Sequence, residues 1–384
     1  GLMKDGSEAR IASASSRPAK PGEAGRPESD GVAGLYPGYF SLVMATGIVS
    51  IAALFDGWTP IAWALFAANL VAYPVLVALT LLRLMRWPRR LLADLVDHRR
   101  GPGFFTLVAG TAVFGNQWIL VARQPGVALA LGALATVVWV LVTYTFFVAV
   151  VVGSSKAGVG DALSGGWLLA TVATQSLAVL GTLLAPDIPG TSGVLLAAVV
   201  LWLLGGMLYL LIIGPIFHRL IFLDMPPETW TPLFWITSGA LSITTLAGSR
   251  LVLSAGSFSF LGEVLPFLKG FTLFFWAAAT WWIPLLVLIG VWRHVLRRFP
   301  LVYVPEYWGL VFPVGMYSVG TFQLVQATGL DSFLPVANAM GAVALVAWAL
   351  TFFGLLRRLA QWIPHSRPAP QDPQHHQPAE KDDA

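Results

Sequence analysis

The sequence predicts an all-α integral membrane protein. Ten transmembrane helices would form five parallel-repeated helical hairpins, with the odd helices in an inner ring and the even helices in an outer one. Three observations carry this. The 384 residues are 57% hydrophobic and only 11% charged, with a mean hydropathy of +0.74, whereas a soluble domain carries about 25% charged residues. Apolar runs near the ~20 residues needed to span hydrocarbon recur ten times. A shared pattern then repeats along every second run.

The runs lie at about 36–55, 60–82, 104–122, 126–152, 164–184, 193–217, 230–253, 264–292, 302–325 and 333–356. Before them, residues 1–34 are rich in Gly, Ala, Ser, Pro and charge, and residues 360–384 after them are similar. Both are expected to be disordered tails around a membrane domain at 35–359. The first segment has no apolar core, so it does not resemble a signal peptide. No Cys is present, which excludes disulfides, thiolate metal sites and cysteine nucleophiles.

Charge orients the runs. The first tail and the connections after even runs hold nearly all of the 23 basic residues, including Arg83, Arg86, Arg89, Arg90, Arg99, Arg100, Arg293, Arg297, Arg298, Arg357 and Arg358. The exceptions are Arg123, Arg250 and Lys269. This positive-inside pattern places both termini in the cytoplasm. It also accounts for a pI near 9.5 without nucleic acid as a partner.

The odd runs stack on one another as YFSLVMATGIVSI, FFTLVAGTAVFGN, GWLLATVATQSLAV, LFWITSGALSITT and YWGLVFPVGMYSV. Each opens on an aromatic (Phe40, Phe105, Trp167, Trp235, Trp308), and each carries a small, polar or helix-breaking cluster four to eight residues later. A regular period of this kind marks a repeated supersecondary unit. The even runs are bulky and apolar, as lipid-facing helices should be. Polar residues at membrane depth are tolerated where they are buried in protein or line a watery path. Five parallel inner helices therefore enclose a central axis, the candidate pore.

The stretches PGYFSLVMATGIVSIAA, ATVATQSLAVLG, ITSGALSITTLAGS and YWGLVFPVGMY resemble the tellurite-resistance/dicarboxylate transporter family. That family includes yeast malic-acid permeases and plant slow anion channels. The resemblance covers about residues 36–358. It implies ten helices in five hairpins, a pore in each protomer, a homotrimer in the bilayer and a phenylalanine on the ninth helix that plugs the pore. The matching position is Phe312.

On the residues themselves, Phe312 is either a ring closing an apolar constriction or an ordinary packed Phe. Pro313 removes a helical hydrogen bond and is expected to kink the ninth helix, with Gly315 beside it. Met44, Thr46, Gly47, Gly110, Thr111, Thr174, Gln175, Ser238 and Gly239 either line a weakly polar lumen or serve close helix packing, which selects the same small residues. Lys269, inside an even run, either attracts anions at the outer mouth, snorkels to the interface, or pairs with Glu263.

The function expected is passage of small inorganic or organic anions, channel-like, across a bacterial inner membrane. The alternatives are a proton-coupled C4-dicarboxylate transporter, for which Glu306 is the candidate proton carrier, and tellurite- or sulfite-related efflux. A membrane enzyme is disfavoured, because no HExxH, carboxylate pair or Ser/His/Asp set is present. No cofactor or metal is expected.

Overall fold

The computed structural model describes residues 31–154, 158 and 163–362. The predicted tails lie almost wholly outside these residues. Among the described residues, ten helices are long and apolar enough to cross a membrane. We label them α1 Ser41–Phe55, α2 Thr59–Arg86, α3 Phe105–Leu120, α4 Pro125–Val152, α5 Leu169–Leu184, α6 Thr191–Phe222, α7 Ile236–Leu253, α8 Leu265–Val291, α9 Trp308–Thr328 and α10 Leu334–Trp362.

Burial divides them as expected. In the most apolar window of each span, the odd helices are 78–89% buried and the even helices 11–39%. Packing closes the ring: α1 lies between α9 and α3, α5 between α3 and α7, and α7 between α5 and α9. Each even helix packs against its own hairpin partner and also against the odd helix of the next hairpin, with α10 returning to α1. The outer ring is thus a pinwheel that ties successive hairpins together.

Every odd helix is directly preceded by a 3-10 turn: Pro37–Phe40, Gly101–Phe104, Gly165–Leu168, Pro232–Trp235 and Pro305–Tyr307. Four of the five carry Pro in their first two positions, where its missing N–H would have no helical partner anyway. We call this end of the ring the proximal face and the other the distal face. The irregular backbone lies here, at the proximal ends. The odd helices themselves run unbroken through their small-residue clusters. Even α9 is continuous, with Pro313 as its sixth residue. The carbonyl that loses its partner to proline is therefore Gly309, in the first turn.

A second fivefold pattern holds the rings together. An aromatic on each outer helix reaches the inner helix of the next hairpin. Trp139, Trp276 and Trp348 donate from Nε1 to the hydroxyls of Thr174, Thr321 and Thr46, each at 2.9 Å. Tyr73 shares a 3.0 Å bond with Thr111, and Trp202 donates to the Thr244 carbonyl at 2.9 Å. Hydrocarbon supplies no hydrophobic drive between helices, so such bonds set register between them. Replacing Thr174 with Val should therefore cost on the order of 1 kcal/mol. The checks are a lower midpoint of thermal unfolding in detergent and an unchanged transport rate.

At the proximal face the chain before α1 is clamped. Arg83 is buried and donates from Nε to the Ala33 carbonyl and from Nη1 to that of Leu35, both at 3.0 Å, while pairing with Asp94. This clamp sets Tyr36 beneath the ring. At the distal face, Asp56 ends α1. Its Oδ2 is buried without a hydrogen-bond partner, in a notch left by Gly341 of α10, where an added Cβ would stand 2.5 Å away. Burial pushes the Asp56 carboxyl above its usual range. The folded state thus holds the proton more tightly than the unfolded chain. Stability falls as pH rises through the window above the unfolded value, and the loss persists at neutral pH. Asp56→Asn should raise the unfolding midpoint at neutral pH, and the gain should vanish in acid, where the carboxyl is already protonated.

Candidate functional site

The inner ring encloses two cavities along its axis. The distal cavity holds about 110 Å³, room for a few waters at ~30 Å³ each. All five inner helices line it: Ile48, Ile51 and Phe55 from α1, Asn116 and Leu120 from α3, Val179 and Leu183 from α5, Leu246 and Arg250 from α7, and Val319 and Gln323 from α9. The proximal cavity is about 10 Å³, the size of one water. Each of the five hairpins contributes to it as well. Its walls include Ser41 and Met44, Thr106, Leu169, Ile236, and Gly309 with Phe312, and Tyr36 and Glu306 stand at its proximal end.

Between the two cavities the axis is closed by apolar side chains. Phe312 is fully buried, as are Met44 and Ile48. Met44 borders the proximal cavity and Ile48 the distal one, four residues or roughly 6 Å apart along α1. On α9 the corresponding residues are Phe312 and Val319, roughly 10 Å apart. The closed section is thus only one to two helical turns thick, and Phe312 is its largest side chain at the proximal boundary.

The distal cavity is electropositive. Arg250 is half-buried, donates from Nη1 to Gln323 Oε1 at 3.4 Å, and has its Nε buried without a partner. It forms no ion pair among the described residues, and no carboxylate lines the cavity. Asn116 Oδ1 is also buried without a partner, and its carboxamide can turn either its oxygen or its NH₂ toward an occupant. The combination offers an anion one charged donor and two amides in an otherwise apolar chamber.

The residues singled out in the sequence divide into three groups and one outlier. Met44 and Phe312 border the axial cavity. Thr46, Thr111, Thr174, Gln175 and Ser238 turn outward: the threonines meet the aromatics described above, Gln175 donates to the Trp202 carbonyl at 2.9 Å, and Ser238 donates to Ala279 of α8 at 3.2 Å. The glycines serve close approach. A Cβ on Gly47 would stand 2.6 Å from Val113, and one on Gly239 would stand 2.7 Å from the Pro313 ring. Pro313 therefore seats in a notch on α7. Gly110 packs against Phe40 and Met44, and Gly315 against Ile48. Lys269 is exposed on the outer helix α8, away from the axis.

Sequence reasoning passed over Arg250, Asn116 and Gln323. A signal for them existed. From Phe312, the helical steps to Met316, Val319 and Gln323 stay on one face, and that stripe reaches the distal cavity. The equivalent stripe on α7 ends at Leu246 and Arg250.

Ten apolar helices with an inner ring around a narrow, charged-ended axis define a multi-pass membrane protein with a candidate conduit. Residues 34–356 match the model of the voltage-dependent anion channel family, and the chain belongs to that family. An uncharacterized membrane protein of Mycobacterium tuberculosis is 36% identical over 163 residues, covering 41% of this chain and 80% of the relative. An uncharacterized transporter of Methanocaldococcus jannaschii is 22% identical over 330 residues, covering 84% of this chain and 94% of the relative. A second transporter of that archaeon is 24% identical over 307 residues, 77% of this chain and 85% of the relative. The protein is therefore a multi-pass membrane transporter or channel.

Proposed function

We propose that the protein conducts small anions along the axis of its inner ring, with Phe312 as the resting gate and Arg250 as the electrostatic attractor on the distal side. One observation carries this reading: a cavity lined by all five inner helices holds an unpaired cation and no carboxylate, and it ends at an apolar closure one to two turns thick. A closure of that thickness can be opened by moving a single ring, without rocking one half of the protein against the other. The lumen between the cavities offers no fixed charge to trap an ion, which favours rapid passage. Pro313 supports the gate by filling the Gly239 notch, which holds the helix carrying Phe312 against α7.

Charge asymmetry orients the protein. It supports a cytoplasmic proximal face, with both termini there, and the membrane we propose is a bacterial inner membrane. Arg250 then faces the outside. In the assembly we propose, a homotrimer, each protomer keeps its own axis.

The experiment is ion substitution on the purified protein in planar bilayers. The reversal potential should follow the anion gradient and ignore the cation and proton gradients. A second reading has its own observation: Glu306 borders the proximal cavity beside Tyr36, where a proton-coupled dicarboxylate carrier would want a titratable group. Malate uptake into proteoliposomes that is driven by a proton gradient and lost in Glu306→Gln would favour it over the channel.

A further inference from the structure

We propose that a groove at the proximal ends of α7, α8 and α9 binds one anionic phospholipid, with its phosphodiester against Arg293. The proposal is independent of what moves along the axis.

The groove has a volume of about 410 Å³ and is bordered by Trp230, Trp235, Leu286, Arg293, Tyr307 and Leu310. Arg293 lies in the π-helical turn Trp292–Leu296 that follows α8, and single π turns are frequent at functional sites. Its side chain is unusual. The residue is only 9% exposed, yet its Nε is buried without a hydrogen-bond partner. The guanidinium carbon stands 4.2 Å over the Phe299 ring. Glu228 and Glu306 act on it only from beyond ion-pair distance. An Nε donor buried without an acceptor is costly, and a ligand that supplies acceptor oxygens removes that cost. A phosphate does so, and the planar fork of arginine suits it.

Depth and shape select a lipid. Arg293 lies near the end of the candidate span Leu265–Leu296, where lipid headgroups are expected. Arg297 and Arg298 follow close by in the chain, which adds positive potential where anionic headgroups gather. The tryptophans fit an interfacial belt. Below Arg293 the wall is apolar, through Leu286, Val287, Gly290 and Val291. A second groove of about 280 Å³ runs alongside, toward Leu350 and Gly354 of α10. The two share Leu301, Tyr307 and Leu310, so one crest separates two apolar channels. A single diacyl lipid has the matching form, one headgroup and two chains.

The test is native mass spectrometry of the delipidated, detergent-purified protein titrated with phosphatidylglycerol or with phosphatidylcholine. One phosphatidylglycerol per protomer should bind roughly tenfold more tightly than phosphatidylcholine. Arg293→Gln should abolish that preference. Because loss of a buried cation can also disturb folding, Gly290→Phe serves as the second variant. A Cβ at Gly290 meets no atom within 4 Å, so the ring can enter the groove and block the chain. It should weaken binding of both lipids. Equal affinities in the native protein, or wild-type phosphatidylglycerol binding in both variants, would overturn the proposal. So would dissociation of an oligomer by Gly290→Phe with lipid binding intact, since a second copy would then be the occupant.

Discussion

Phe312→Ala should convert a nearly silent protein into one that passes anion current continuously. The ring stands at the proximal edge of a closure one to two turns thick, fully buried, with Met44, Leu169 and Ile236 around the same small cavity. Truncation to a methyl group leaves space that joins toward the distal cavity, and a wetted path replaces a dry one. Each ~1.4 kcal/mol removed from the barrier is a tenfold gain in rate, so an increase of well over tenfold in unitary or macroscopic conductance is expected. Phe312→Leu should give a smaller increase and Phe312→Trp none. The measurement is current in planar bilayers or oocytes, with surface expression matched. Currents unchanged by Phe312→Ala would remove the residue from the gate. A destabilised variant is distinguishable, because truncating a packed core Phe costs about 3–5 kcal/mol and would show as a lowered unfolding midpoint with no current.

Arg250→Gln in the Phe312→Ala background should lower anion conductance several-fold, most strongly at low salt. A unit charge 4 Å from an ion is worth about 4 kcal/mol at an effective dielectric constant of 20, and less where water enters. Even one quarter of that multiplies the local anion concentration about fivefold. Screening at ~10 Å in 0.1 M salt removes part of the effect, so the ratio of variant to parent current should rise toward one as salt is raised. Arg250→Glu should go further and shift the reversal potential toward the cation. Lys269 serves as the control. It carries the same charge on an outer helix, exposed and off the axis, and Lys269→Gln should leave conductance unchanged at all salt concentrations. If Arg250→Gln and Lys269→Gln behave alike, the attractor is not Arg250.

The two variants also separate the parts of the functional reading. Phe312 tests where the path closes, and Arg250 tests what the path prefers. A conducting Phe312→Ala protein indifferent to Arg250 would keep the gate and move the source of selectivity elsewhere.

The ten spans and the division into buried inner and exposed outer helices were legible in the amino-acid order, and the helix contacts are compatible with the five hairpins. The reason is solvent. Lipid accepts only bulky apolar faces, so helices rich in Gly, Thr, Ser and Gln must be inside, and the period of the aromatic that opens each odd span exposes the repeat. Family membership was likewise legible, in the runs around Phe40, Thr174, Ser238 and Phe312. Which face of each inner helix looks at the axis was not. Periodicity reveals a face only when one side meets a different medium from the other, and an inner helix is buried all round. Thr46, Thr111 and Thr174 are as well suited to a lumen as to the indole or phenol of the next outer helix, and only the packing of α10, α2 and α4 turned them outward. Gly239 and Pro313 were paired by the contact of α7 with α9 inside the inner ring. Tertiary structure alone brought Arg250, Asn116 and Gln323 from three separate hairpins into one chamber, because a cavity is a property of five helices at once and of none of them singly.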